Sequence, residues 1–134
     1  MFASVVVAVA IVGGILVLGS PAQLRMQRLD SQRVQNLQTL SNMIANYRRT
    51  HDSVPDALDK LEQPGVVVGS AAKDPETGEP YEYRPKDNSS YVLCARFRSS
   101  SADDPNALPR APEFWRHEPG RQCFTLEVRL PVQR

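Results

Sequence analysis

The chain is poor in the side chains that carry chemistry. It has two histidines, two cysteines and one tryptophan among 134 residues, and no charged side chain precedes Arg25. His51 and His117 each stand alone, with no serine, cysteine or carboxylate spaced as a nucleophile–base pair, so no catalytic constellation can be written. Neither histidine lies in ligand spacing to a cysteine, which argues against a zinc site. Lysine and arginine total 16 against 15 acidic residues, giving a net charge of +1 with the signs interleaved. A nucleic-acid-binding protein clusters its basic residues on one face, so nucleic acid is not an expected partner. No internal repeat and no low-complexity tract occurs. The composition points to a non-enzymatic chain without a cofactor or small-molecule substrate.

The missing charge at the start is the strongest positive signal. Phe2 to Leu18 is dominated by Val, Ala, Ile and Leu. Seventeen to nineteen helical residues span roughly 26–29 Å, close to the ~30 Å hydrocarbon core of a bilayer. A helix apolar on all sides has no face to offer water. The spacing therefore predicts a transmembrane anchor over residues 1–20. The alternative is a cleaved signal peptide, but there is no basic n-region, and Gly19-Ser20-Pro21 makes a poor cleavage site. Ala10 and Gly14 are four apart, with Gly13 beside them. Small residues at that spacing allow a second membrane helix to approach, so other membrane subunits and the lipid bilayer are the expected partners.

Cys94 and Cys123 lie in two strand-like runs. In a small domain beyond a membrane anchor, such a pair suggests a disulfide in an oxidising compartment, with two buried thiols as the alternative. The bond would close a loop of about 28 residues and contribute roughly 3–4 kcal/mol. Topology is contested. Arg25, Arg28 and Arg33 follow the apolar run, and the positive-inside rule would keep the remainder cytoplasmic. The cysteines favour export.

Ser20 and Pro21 are a cap and a first helical residue for a second helix over residues 21–50. Val34, Leu37, Leu40, Ile44 and Tyr47 recur at steps of three and four, an amphipathic stripe, with Arg25, Arg28, Arg33, Gln35, Asn42, Arg48 and Arg49 assigned to its polar face. Residues 51–134 form the remaining small domain. A short helix is expected over Ser53–Leu61. Strands follow over Tyr81–Arg84, Tyr91–Phe97 and Gln122–Val128, with a surface excursion over Ser99–Pro119. Alternation places Leu93, Ala95 and Phe97 on one face of the sheet and Cys94 on the other. The fold class is thus α+β, a long helix packed on a small antiparallel sheet with a disulfide on its outer face.

Three groups remain as candidate sites. Asp74, Glu76 and Glu79 form an acidic turn that suits calcium weakly and a self-capped, solvated turn better. Asp103 and Asp104 read as solvated. Phe114 and Trp115, aromatic residues in a polar excursion, are candidates either for pinning that excursion to the body or for a protein contact.

Several of these pieces together resemble a known family. A membrane helix ending near a proline, an amphipathic continuation ending in Ala45-Asn46-Tyr47-Arg48-Arg49, the Val54–Leu61 segment and Asp74-Pro75 followed by Gly78-Glu79-Pro80-Tyr81-Glu82-Tyr83 resemble type II secretion pseudopilins of the major class and, more loosely, type IV pilins. The resemblance covers roughly residues 1–97, and Gly78–Tyr83 is its most specific part. One extra residue separates Pro75 from Gly78. The cysteine strands and Trp115–Phe124 are more similar to a looser group of bacterial membrane proteins bearing the same exported domain. The resemblance implies a pilin-like fold, a bacterial inner-membrane location and a periplasmic C-terminal domain. Met1–Val5 lacks the prepilin leader motif, no acidic residue precedes Asp30, and the calcium loop of the major pseudopilins is missing. Leader processing and filament assembly are therefore not carried over. The expected function is that of a non-catalytic, single-pass accessory subunit of a membrane complex, such as a secretion, pilus, respiratory, photosynthetic or transport assembly. A true pseudopilin and an exported ligand- or calcium-binding domain are the alternatives.

Overall fold

A computed structural model of the chain describes residues 2–17, 20–62, 64–65, 68–103 and 115–129. It has the order α1 (Phe2–Val17), α2 (Pro21–His51), β1 (Glu82–Pro85), β2 (Ser90–Phe97) and β3 (Gly120–Glu127), with short 3-10 turns between them. The architecture is α+β, as the sequence predicts.

The first helix is shorter than the anchor expected over residues 1–20. Its 16 residues rise about 24 Å, and among the described residues no helix is long and apolar enough to cross a membrane. The start of α2 is fixed locally. Ser20 adopts an extended backbone, φ −74° and ψ 143°, to cap α2, and its side-chain oxygen accepts from the Gln23 amide at 3.2 Å. A residue in that conformation cannot also continue α1. Pro21 lacks the amide hydrogen that the first turn would leave unpaired, so it fits the start of α2. At the other end, Asp52 takes a left-handed conformation at φ 59° and its amide bonds to the Arg48 carbonyl, closing the helix.

The sheet has the order β1-β2-β3 and is antiparallel throughout. Its apolar face covers α2. Leu37, Leu40 and Ile44 are wholly buried, and Tyr91, Leu93, Ala95, Phe97, Phe124 and Val128 complete the layer above them. This is the stripe and the strand face that periodicities of 3.6 and 2 select.

The buried side of α2 runs further toward the N-terminus than its apolar stripe. Gln27, Asp30 and Arg33 precede Leu37 at steps of three and four and are buried as well. Arg33, assigned from sequence to the solvent face, is 2 % exposed. The helix thus has one continuous inward stripe, polar in its first half and apolar in its second.

The short helix expected over Ser53–Leu61 is reduced to a single 3-10 turn at Leu58–Leu61. Val54 and Pro55 are instead buried outside any helix, with the Val54 amide bonded to the Asn88 carbonyl at 3.1 Å. That bond ties the segment after α2 to the turn between β1 and β2.

Candidate functional site

Two regions are not explained by packing alone: the surface of α1, and a charged cluster that continues onto the outer face of the sheet.

On α1, Val5, Val6, Val7, Val9, Ile11 and Val12 are 58–68 % exposed. They point in all directions around the helix, so no single apolar face exists. Ala10, Gly13 and Gly14 lie on the same exposed helix, and a Cβ built on either glycine meets nothing within 4 Å. Among the described residues, the two glycines form an open notch.

The charged cluster grows from the polar stripe of α2. Arg33 sends Nε to Asp74 Oδ2 at 2.6 Å, Nη1 to Asp30 Oδ1 at 2.8 Å and Nη2 to Glu76 Oε2 at 2.8 Å. Asp30 also accepts from the Arg98 amide at 3.0 Å and from the Ser99 amide at 2.7 Å. Arg98 adds a two-pronged contact to Glu76 at 2.9 and 3.0 Å. One arginine therefore joins α2, the 74–76 turn and, through Asp30, the chain leaving β2. A guanidinium suits this task because its planar fork satisfies several carboxylates at once.

The electrostatics agree with the geometry. Burial pushes the Asp74 carboxyl up, but the Arg33 guanidinium and the amides of Glu76 and Thr77 together hold it below the usual carboxylate range. Glu76 is held low by Arg98 first and Arg33 second. Burial lowers the Arg33 affinity for its proton, yet Asp74, Glu76 and Asp30 outweigh it, so Arg33 is firmly charged.

This arrangement bears on the acidic turn. Asp74 caps its own turn, accepting from the Glu76 and Thr77 amides at 2.9 and 3.1 Å. Its remaining oxygen, and Glu76, face Arg33 and Arg98. A calcium ion at this turn would have to displace a buried cation already in place. Glu79 does not join the ion pairs recorded for Asp74 and Glu76, and no group of three metal-ligating side chains occurs among the described residues.

Cys94 and Cys123 are directly opposite in the register of β2 and β3 and form a disulfide. The bond lies on the outer face, as alternation predicts, but Cys94 is only 2 % exposed. Cys94 sits on the central strand, and Arg121 reaches it from β3. Arg121 grips Glu82 in a bidentate pair at 2.6 and 2.9 Å, and its Nη2 lies 3.6 Å from Cys94 Sγ. Cys123, on the outermost strand, is exposed. Beside the bond, a cleft of about 500 Å³ runs between the 74–82 segment and β2, lined by Arg33, Glu76, Tyr81, Cys94, Arg96 and Arg98 among others.

No family model, characterised protein or solved structure matches the chain. Function must therefore be argued from these residues.

Trp115 is buried, with its ring set at 61° to Phe124 and 5.0 Å away. It pins the excursion to the sheet, one of the two roles the sequence offered, and its ring is not on the surface for a partner to grip. Phe114, Asp104 and most of the excursion lie outside the described residues. His51 stacks on Tyr47 at 3.9 Å, and His117 is buried flat against Phe97 at 3.7 Å. Sequence reasoning missed Asp30 and Arg33. The available signal was their position on the same three- and four-residue steps as Leu37, Leu40 and Ile44.

Proposed function

We propose that the chain is a non-catalytic accessory subunit attached to a bacterial inner membrane through its N-terminal region, with the α+β domain held outside the cytosol. The observation that carries this reading is the helix α1, whose Val5, Val6, Val7, Val9, Ile11 and Val12 are more than half exposed on every side. Such a surface is costly in water, at about 25 cal/mol for each Å² of apolar area left uncovered. The apolar character does not stop at Val17. The sequence is uncharged as far as Leu24, and Leu24 and Met26 stand exposed on the first turns of α2. Residues 2–24 together would match the bilayer, with Arg25 and Arg28 at the headgroups. The Cys94–Cys123 disulfide supports an oxidising compartment for the domain. The notch at Ala10, Gly13 and Gly14 suits a helix of another membrane subunit.

The test is purification from membranes in a mild detergent. The chain should elute in a complex with other membrane subunits, and Ala10→Leu with Gly14→Leu should release it. Elution as a lone monomer with or without those substitutions would overturn the reading.

The arrangement of α2 on the sheet favours a second reading, that of a pseudopilin or minor pilin. An antiparallel sheet packed on a long helix and entered through the Asp74–Tyr83 turn is what that resemblance implies. Intact mass distinguishes the two. A pilin is trimmed by a dedicated peptidase, whereas an accessory subunit is not.

A further inference from the structure

The outer face of the sheet carries a feature that membrane attachment does not require. On the strands around the disulfide stand Arg84, Arg96 and Arg121, all exposed, with Glu82 as the carboxylate paired to Arg121, while Glu76 and Glu79 line the cleft beside Cys94. Arg96 and Arg121 are directly opposed across β2 and β3, an arrangement that like charges disfavour. Glu82 sits opposite Cys94 and takes up part of that charge through its bidentate pair with Arg121. The two sulfurs are left in unlike settings. Cys123 is exposed on β3, and among the described residues no strand pairs with the far edge of β3. Cys94 is buried, with a guanidinium nitrogen 3.6 Å from its sulfur and the cleft beside it.

We infer that Cys94–Cys123 is a thiol-exchange site, entered at Cys123 by the thiolate of a dithiol reductant, with Cys94 as the leaving sulfur beside Arg121. Exchange requires an approach in line with the S–S bond, and a leaving thiol departs faster when its anion is stabilised. Among the described residues, Cys123 is the sulfur open to such an approach and Cys94 the one with a cation in contact. In the first step the incoming thiolate forms a bond to Cys123 Sγ, the Cys94–Cys123 bond breaks, and its electron pair goes to Cys94 Sγ, which later takes a proton from water. The second thiol of the reductant then attacks its own sulfur in the mixed disulfide and frees Cys123. The protein gains two electrons and two protons, and the dithiol becomes a disulfide. Structural disulfides resist this exchange, whereas an exposed bond with a stabilised leaving sulfur favours it.

The charges provide a test in which the two partners of one ion pair shift the rate in opposite directions. The full chain, in detergent micelles at pH 7, is reduced with dithiothreitol and the rate is followed by thiol alkylation. Arg121→Gln should slow reduction roughly two- to five-fold, the range of an exposed charge contact. Glu82→Gln should speed it by a similar factor, because the guanidinium is then released from its competing anion, and Arg121→Lys should restore part of the loss. If the pair merely shields the bond, both substitutions will speed reduction, and that result would overturn the inference. A second measurement uses glutathione with rapid acid quenching. The mixed disulfide should be found on Cys123, and its appearance mainly on Cys94 would reverse the assignment.

Discussion

Arg33 Nε lies 2.6 Å from Asp74 Oδ2 across 41 positions of sequence, with both side chains largely removed from water. This contact, rather than an apolar one, fixes the N-terminal half of the domain's part of α2 to the body. The apolar stripe begins at Val34, and the buried residues before it, Gln27, Asp30 and Arg33, are held by charge and hydrogen bonds.

Removing one partner from a buried ion cluster leaves its mates uncompensated. Arg33→Ala should therefore destabilise the domain by about 3–5 kcal/mol, measured by urea unfolding. The double change Asp30→Asn with Arg33→Met should cost less than Arg33→Ala, since it removes charge from both sides.

The lowered carboxyls set the acid limit. Asp74 and Glu76 bind protons less readily folded than unfolded, and Asp87 does so as well because the Ser90 and Ser89 donors favour its anion. A depressed carboxyl stabilises the fold above its unfolded value of about 3.9–4.3, and that contribution is lost as pH falls through the folded value. Stability should be level from pH 7 to about 5 and decline below about 4, with a shallower decline in Asp74→Asn. At the alkaline end the sign is opposite. Burial raises Tyr81, Tyr83 and Tyr91, so stability should fall as pH rises past about 10. Circular dichroism melts across pH would show both edges.

Replacing both cysteines by alanine removes a cross-link of 29 positions. The loss should be roughly 3–4 kcal/mol by the chain-entropy estimate, with the fold retained because the register of β2 and β3 is also set by Leu93 opposite Phe124. Unfolding midpoints with and without the bond would measure it.

Leu40 and Leu93 both belong to the helix–sheet core and have no exposed surface. Truncating either to alanine should cost about 2–5 kcal/mol, several times the effect of the same change at exposed Leu24.

The readable parts of the sequence were those where one physical period dominates. Leu37, Leu40 and Ile44 announce a buried helical stripe, and Leu93 and Phe97 a buried strand face, so the helix-on-sheet core and the outer position of Cys94 followed directly. Ser20 and Pro21 marked the start of α2 for the same local reason. What stayed hidden depends on contacts distant in sequence. Arg33 looks solvated until the 74–76 turn is brought against it, and Val54-Pro55 looks like a helix start until Asn88 takes the Val54 amide. Trp115 could pin the excursion or meet a partner, and only the position of Phe124 decides which side of it is covered.

The attachment of the chain to lipid through residues 2–24 is the claim on which the functional reading rests. Washing membranes from the producing cell with alkaline carbonate tests it most directly. The full chain should remain in the membrane pellet, and a variant with Val9→Arg and Val12→Asp should be released. Recovery of the unaltered chain in the carbonate supernatant would contradict the account.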